Sequence, residues 1–92
     1  MMLTIYSKSN CPYCEMAKKF LTERGIVYRE IDILTDVTAR KFIQDRGHRS
    51  VPQIYLGSML FVDGGYTGLS KMQTPDILQQ IEKFSVLLNE SI

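Results

Sequence analysis

The sequence predicts an α/β fold: a four-stranded mixed β-sheet flanked by helices on both faces, in the order β-α-β-α-β-β-α. Three observations carry this reading. Short β-branched and aromatic runs, such as Leu3-Thr4-Ile5-Tyr6 and Gln53-Ile54-Tyr55-Leu56, alternate with longer stretches of helical period. The first two runs flank a helix, so they are expected to be parallel neighbours joined by a right-handed crossover. The last two are separated only by Gly57-Ser58, which has hairpin turn chemistry and makes them antiparallel.

Leu3 to Tyr6 reads as the first strand, and Ser7 to Asn10 as a polar loop. From Pro12 the pattern turns helical: Met16, Ala17, Phe20 and Leu21 face inward, with Glu15, Lys18, Lys19 and Glu23 outside. Pro12 suits a first helical position, where its missing N–H costs nothing, and Gly25 ends the helix as a left-handed cap. Ile26 to Ile33 reads as the second strand. Thr35 or Asp36 caps a second helix with Val37, Phe42 and Ile43 on its apolar side, closed by Gly47. After the hairpin of Gln53–Leu56 and Met59–Val62, Gly64-Gly65 breaks the chain and a short helical turn is expected near Leu69. Thr74 is expected to cap a last helix with Pro75 at its first position and a stripe of Ile77, Leu78, Ile81, Phe84 and Leu88.

With 92 residues the chain is read as one domain, 1–92, with one hydrophobic core's worth of material. Its composition, 45% hydrophobic and 23% charged, argues against disorder. A net charge of +1 and the absence of any Lys/Arg run give no nucleic-acid footprint. No apolar stretch approaches the ~20 residues of a membrane span, and the Met-Met-Leu-Thr-Ile-Tyr start has no signal-type pattern. The expected location is the cytoplasm.

In a reducing compartment a persistent structural disulfide is rare, which changes the reading of Cys11-Pro12-Tyr13-Cys14. Zinc needs about four ligands. Beyond the two cysteines the chain offers the single histidine His48, so a metal shared between two copies is the open alternative. Redox chemistry is the preferred reading. The first cysteine falls at a strand-to-helix junction, where free N–H groups and the helix dipole favour thiolate over thiol. Cys11 is therefore the attacking sulfur, and Cys14, one turn further in, the resolving one. Lys8, three residues before Cys11, can place its ammonium near the thiolate and a substrate carboxylate. Tyr13 projects between the cysteines as an exposed aromatic wall. Gly64 and Gly65 allow close backbone approach or positive φ, and the N–H groups after them can cradle an anion.

The segment Tyr6-Ser7-Lys8-Ser9-Asn10-Cys11-Pro12-Tyr13-Cys14, then Ser50-Val51-Pro52 before a strand, then Gly64-Gly65, resembles the three signature blocks of the glutaredoxins. The likeness runs in order and spacing over nearly the whole chain, and is to dithiol members of the short bacterial or phage type. It implies a thioredoxin-like fold and a thiol-disulfide oxidoreductase that draws electrons from glutathione as reducing co-substrate, with no metal. Implied partners are glutathione and disulfide-containing or glutathionylated proteins, ribonucleotide reductase among them, and the expected state is a monomer. The resemblance places Lys8 on the glycine carboxylate of glutathione and Tyr13 along its groove. It makes Val51-Pro52 a cis peptide whose Val51 N–H and C=O pair with the substrate cysteine, next to Ser50 where relatives commonly have Thr. It puts the γ-glutamyl end on Gly64, Gly65, Tyr66 and Thr67. Arg49 either adds positive potential to that groove or sits in solvent.

This chain departs from many relatives after the glycine pair. They continue with two acidic residues; here Tyr66-Thr67-Gly68-Leu69 follows, leaving no obvious carboxylate for the γ-glutamyl ammonium. Two rival functions accompany the main reading. One is a redoxin electron donor to ribonucleotide reductase, itself reduced by thioredoxin reductase; the other is an iron–sulfur cluster or metal carrier.

Overall fold

The computed structural model describes residues 1–90. The elements are β1 (Leu3–Ser7), α1 (Pro12–Glu23), β2 (Tyr28–Asp32), α2 (Val37–Asp45), β3 (Gln53–Leu56), β4 (Met59–Val62), α3 (Gly65–Ser70) and α4 (Thr74–Glu90). The sheet order is β2-β1-β3-β4, with β1 parallel to β2 and antiparallel to β3, and β3 antiparallel to β4. Pairs such as Tyr6↔Ile31 and Ile5↔Ile54 set the register.

Alternation along the strands divides the interior into two cores. On one face Leu3 and Ile5 of β1, Ile54 and Leu56 of β3 and Phe61 of β4 meet Ala17, Phe20 and Leu21 of α1, Leu69 of α3 and Ile77 of α4. On the other face Tyr6 and Tyr55 pack against Ala39 and Ile43 of α2, with Phe42 at the margin. The first core is mostly aliphatic. The second is largely aromatic: Tyr6 stacks on Phe42 with centroids 5.4 Å apart, and Tyr55 meets both edge-on. Burial raises the pKa of the Tyr6 and Tyr55 hydroxyls, with nearby arginines pulling the other way.

Several local expectations are corrected. The short helical turn expected near Leu69 is a six-residue helix, α3, between β4 and the last helix. The fully buried Leu69 anchors it, a burial worth about 1.5–3 kcal/mol. The strand β2 begins at Tyr28, so Ile26 reaches the core from the preceding turn while Val27 is exposed. Met16, Val37 and Leu78 are also exposed rather than inward. Met16 and Leu78 each lie about 100° around the helix from the neighbour that does pack, Ala17 and Ile77 respectively. Val37 occupies the first turn of α2, whose buried positions are Ala39 and Ile43. The cap of α2 is Asp36, whose Oδ1 accepts the Ala39 N–H at 2.9 Å. The first ladder bond of α4 runs from Ile77 N–H to Gln73 C=O at 3.0 Å, so Thr74 is already helical and does not cap it. The Gln80 side-chain amide ties α4 to the Phe61 carbonyl of β4.

Candidate active site

The path from β1 into α1 decides where the cysteines stand. The chain leaves β1 after Ser7, turns with Asn10 at a φ of 58°, and enters α1 with Cys11 in an extended conformation at its N-cap. Asn tolerates this left-handed region better than most residues. Pro12 occupies the first turn of α1, and the Cys14 N–H donates to Cys11 Sγ at 3.2 Å. The Cys14 N–H and the positive end of α1 therefore meet at that sulfur, which favours its thiolate when the pair is reduced.

The two cysteines are joined as a disulfide, with Cα atoms 5.2 Å apart. Cys11 is 7% exposed and Cys14 is fully buried, so Cys11 is the more accessible of the two. Lys18, one turn beyond Cys14, is held between Glu15 at 2.7 Å and Glu30 at 3.0 Å. The buried Ser7 hydroxyl donates to the same Glu30 carboxylate at 2.6 Å. Hydrogen bonds from Ser7 and then Lys18 hold the Glu30 carboxyl below its usual value, and those to Glu15 and Glu30 raise Lys18. This cluster ties α1 to β1 and β2.

Opposite Cys11 runs the loop before β3. The Val51-Pro52 peptide is cis, as expected, and the Val51 carbonyl oxygen lies 3.8 Å from Cys11 Sγ. Gln53 is buried and its side-chain amide donates to Ser50 C=O at 2.9 Å. His48 Nε2 and the Tyr55 hydroxyl hydrogen-bond at 2.6 Å, fixing the start of the loop to β3.

A groove of about 570 Å³ opens beside this loop. Its walls include Tyr13, Ser50, Val51, Pro52, Gly64, Gly65, Tyr66 and Thr67. Eight of the nine residues expected around a bound substrate are thus brought together. Tyr13 is 59% exposed and stacks on Tyr66, centroids 6.3 Å apart; Tyr66 in turn meets Phe20 edge-on. The glycines are required by sterics. A Cβ on Gly65, where φ is +57°, would lie 2.7 Å from the Pro52 carbonyl oxygen; one on Gly68 would lie 1.8 Å from that of Asp63.

Lys8 is the exception. It lines a smaller crevice on the other side of the loop, with Arg40, His48 and Arg49. The structure also supplies what the sequence reading did not find. Asp63 lines the main groove next to Gly64, so a carboxylate is present at that end after all, contributed from before the glycines rather than after them. Its place at the end of a hairpin strand, directly ahead of the turn, was the available signal. Gly68 is a second omission, required by contact with a residue five positions back. Among the described residues no group of three or more His, Cys, Asp or Glu side chains is arranged to hold a metal, and no helix is long and apolar enough to cross a membrane.

The glutaredoxin family profile matches residues 3–61, the stretch that carries both cysteines, the cis-proline and the sheet to the middle of β4. The chain belongs to the glutaredoxin family. It is 40% identical over 60 residues to Glutaredoxin 1 of Rickettsia prowazekii, covering 62% of this chain and 63% of that protein. It is 36% identical over 74 residues to a glutaredoxin of Neisseria meningitidis, covering 77% and 84% of the two chains. The structure is similar to that of a buckwheat glutaredoxin in complex with glutathione, with a TM-score of 0.69 at 23% identity, over 88% of this chain and 76% of that one. That likeness is one of fold, which is thioredoxin-like. The glutaredoxin profile ends before α3, so the Gly64–Thr67 wall lies outside the matched stretch.

Proposed function

We propose that this chain is a glutathione-dependent thiol-disulfide oxidoreductase acting on protein disulfides and glutathione mixed disulfides. The observation that carries the reading is Cys11: a nearly buried sulfur at the N-cap of α1 that receives the Cys14 N–H and faces the Val51 carbonyl across the groove. In the first step the Cys11 thiolate attacks a substrate disulfide. A new S–S bond to Cys11 forms as the old one breaks, and the leaving sulfur departs as a thiolate that takes a proton from water. Either Cys14 or glutathione then attacks the mixed disulfide and releases the second thiol. Two glutathione molecules return the Cys11–Cys14 disulfide to dithiol, themselves oxidised to one disulfide.

Within this reading Val51 offers its backbone to the cysteinyl part of glutathione as an added strand does, beside Ser50 and cis-Pro52. Tyr13 and Tyr66 form the wall along it. Gly64, Gly65 and Thr67 receive the γ-glutamyl carboxylate, and Asp63 is the candidate partner of its ammonium. Lys8 takes the glycine carboxylate from across the loop. The working compartment is the cytoplasm, the chain acts as a monomer, and ribonucleotide reductase is one candidate among its protein substrates.

The test is turnover of a glutathione mixed disulfide with glutathione and glutathione reductase as the electron supply. The Cys11→Ser variant is expected to lose all exchange. Cys14→Ser should keep glutathione-dependent monothiol turnover and lose direct reduction of protein disulfides. Total loss in both variants would overturn the assignment of roles. Turnover supported by thioredoxin reductase and not by glutathione would overturn the choice of reductant.

A further inference from the structure

The strand β4 is not regular. Tyr55 pairs with Leu60 while its neighbour Ile54 pairs with Val62, so Phe61 is an extra residue without a partner in the register, a β-bulge. The side chains carry the same mark. Leu60 packs on the aromatic core, yet the consecutive residues Phe61 and Val62 both pack on the aliphatic one. A strand without the bulge would send those two to opposite faces. Beyond Phe61 the chain therefore runs one residue out of phase with the start of β4, and loss of the bulge would exchange its inward and outward positions.

Two contacts from α4 hold this irregularity. The Gln80 side-chain amide donates to the Phe61 carbonyl, and Phe84, one turn on, meets the Phe61 ring edge-on with centroids 5.8 Å apart. Phe61 is buried, and a buried carbonyl that loses its donor is costly. Downstream, the phase set by the bulge seats α3. A Cβ on Gly68 would lie 3.1 Å from Val62 Cγ2 and 1.8 Å from the Asp63 carbonyl oxygen, so both residues press on the backbone of α3. The Gly68 N–H closes onto the Gly64 carbonyl at 3.3 Å, and the segment from Asp63 to Thr67 lines the main groove. Gln80 itself stands outside that groove.

We propose that Gln80 is a positioning residue for the substrate groove: its amide fixes the Phe61 bulge, and the bulge sets where the Asp63–Thr67 wall stands. Gln80 then governs how tightly substrate is held and leaves the sulfur chemistry on the opposite wall unaltered. The substrate held there is taken from the glutathione reading; the placement of the wall does not depend on it, and each has its own readout.

Gln80→Met keeps the side-chain length and the helix propensity but removes the donor. Amide hydrogen exchange at Gly64 to Gly68 in this variant should quicken about tenfold, while the amides of β1 and α1 stay within about twofold. With glutathione and glutathione reductase as electron supply, KM for a glutathione mixed disulfide should rise about three- to tenfold at nearly constant kcat. Alkylation of reduced Cys11 by iodoacetamide should keep its rate. Gln80→Lys, which restores an N–H donor, should bring both readouts back to within about twofold of the unmodified chain.

Unchanged exchange at Gly64 to Gly68, or equal quickening throughout the sheet, would overturn the role of Gln80. So would an unchanged KM beside a loosened wall, or a Lys variant as impaired as the Met one. If the unmodified chain does not turn over the mixed disulfide at all, the glutathione reading fails and the exchange pattern alone decides on Gln80.

Discussion

The two walls of the main groove are built in different ways. The cysteine wall is a local construction: a strand end, a three-residue loop, an N-cap and a helix start, all within the segment from Ser7 to Cys14. The opposite wall, Asp63 to Thr67, exists only because α3 is pressed against the cis-Pro52 turn and against the end of β4. In the proposed reaction the first wall carries the reacting atoms and the second shapes what can approach them. Chemistry here is written locally and selectivity is written through contact.

That contrast can be broken most sharply at Gly68. A Cβ there would lie 1.8 Å from the Asp63 carbonyl oxygen, a backbone atom that cannot swing aside. Gly68→Ala is expected to destabilise the fold by at least about 2 kcal/mol in urea unfolding, as overpacking against a fixed neighbour does. Under folding conditions it should raise the KM for glutathione while leaving the alkylation rate of reduced Cys11 nearly unchanged. Equal damage to both would mean that the two walls are one unit.

A milder probe is Tyr66→Ala, which removes the ring between Tyr13 and Phe20. The loss of the two aromatic contacts should cost roughly 0.5–1.5 kcal/mol each beyond the buried area. A weaker hold on Tyr13 should appear as a several-fold increase in KM with little change in kcat. A change confined to kcat would place Tyr66 in the chemistry instead of the wall.

The smallest expected effect lies in the Ser7–Glu30–Lys18 cluster, which joins the cysteine-bearing helix α1 to β1 and β2. The folded-state pKa of Glu30 is lowered, so its contribution to stability is present above the ordinary carboxylate value of 4.5 and is lost as pH falls through the lowered folded value. Glu30→Gln should cost about 0.5–1 kcal/mol at neutral pH, given that the ion pair is partly exposed. The difference from the unmodified chain should be smaller at about pH 3 than at neutral pH. Urea unfolding at both pH values measures it, and a constant difference would show that Glu30 acts by packing alone.

Much of this was legible in the sequence because it depends on neighbours along the chain. Periodicity and turn residues gave the strand and helix order, and the position of Cys11 at the start of a helix followed from Pro12 and the polar loop before it. The failures have a common cause. Met16, Val37 and Leu78 are apolar residues near an inward stripe, and only the actual packing direction of each helix decides on which side they fall. The helix α3 is six residues long, too short for a periodic signal, and is held by one buried leucine and two sterically required glycines.

By itself the sequence determined the sheet and the place of the two cysteines at the start of a helix, because strand alternation, helix period and helix-start chemistry act over a few residues. Only the tertiary structure decided that Asp63 lines the groove beside the glycine pair, and that Lys8 lines a separate crevice with Arg40 and Arg49. Those placements depend on how α2, α3 and the cis-proline loop meet the sheet. Residues far apart in the chain come together there through packing, which leaves no periodic trace along the sequence.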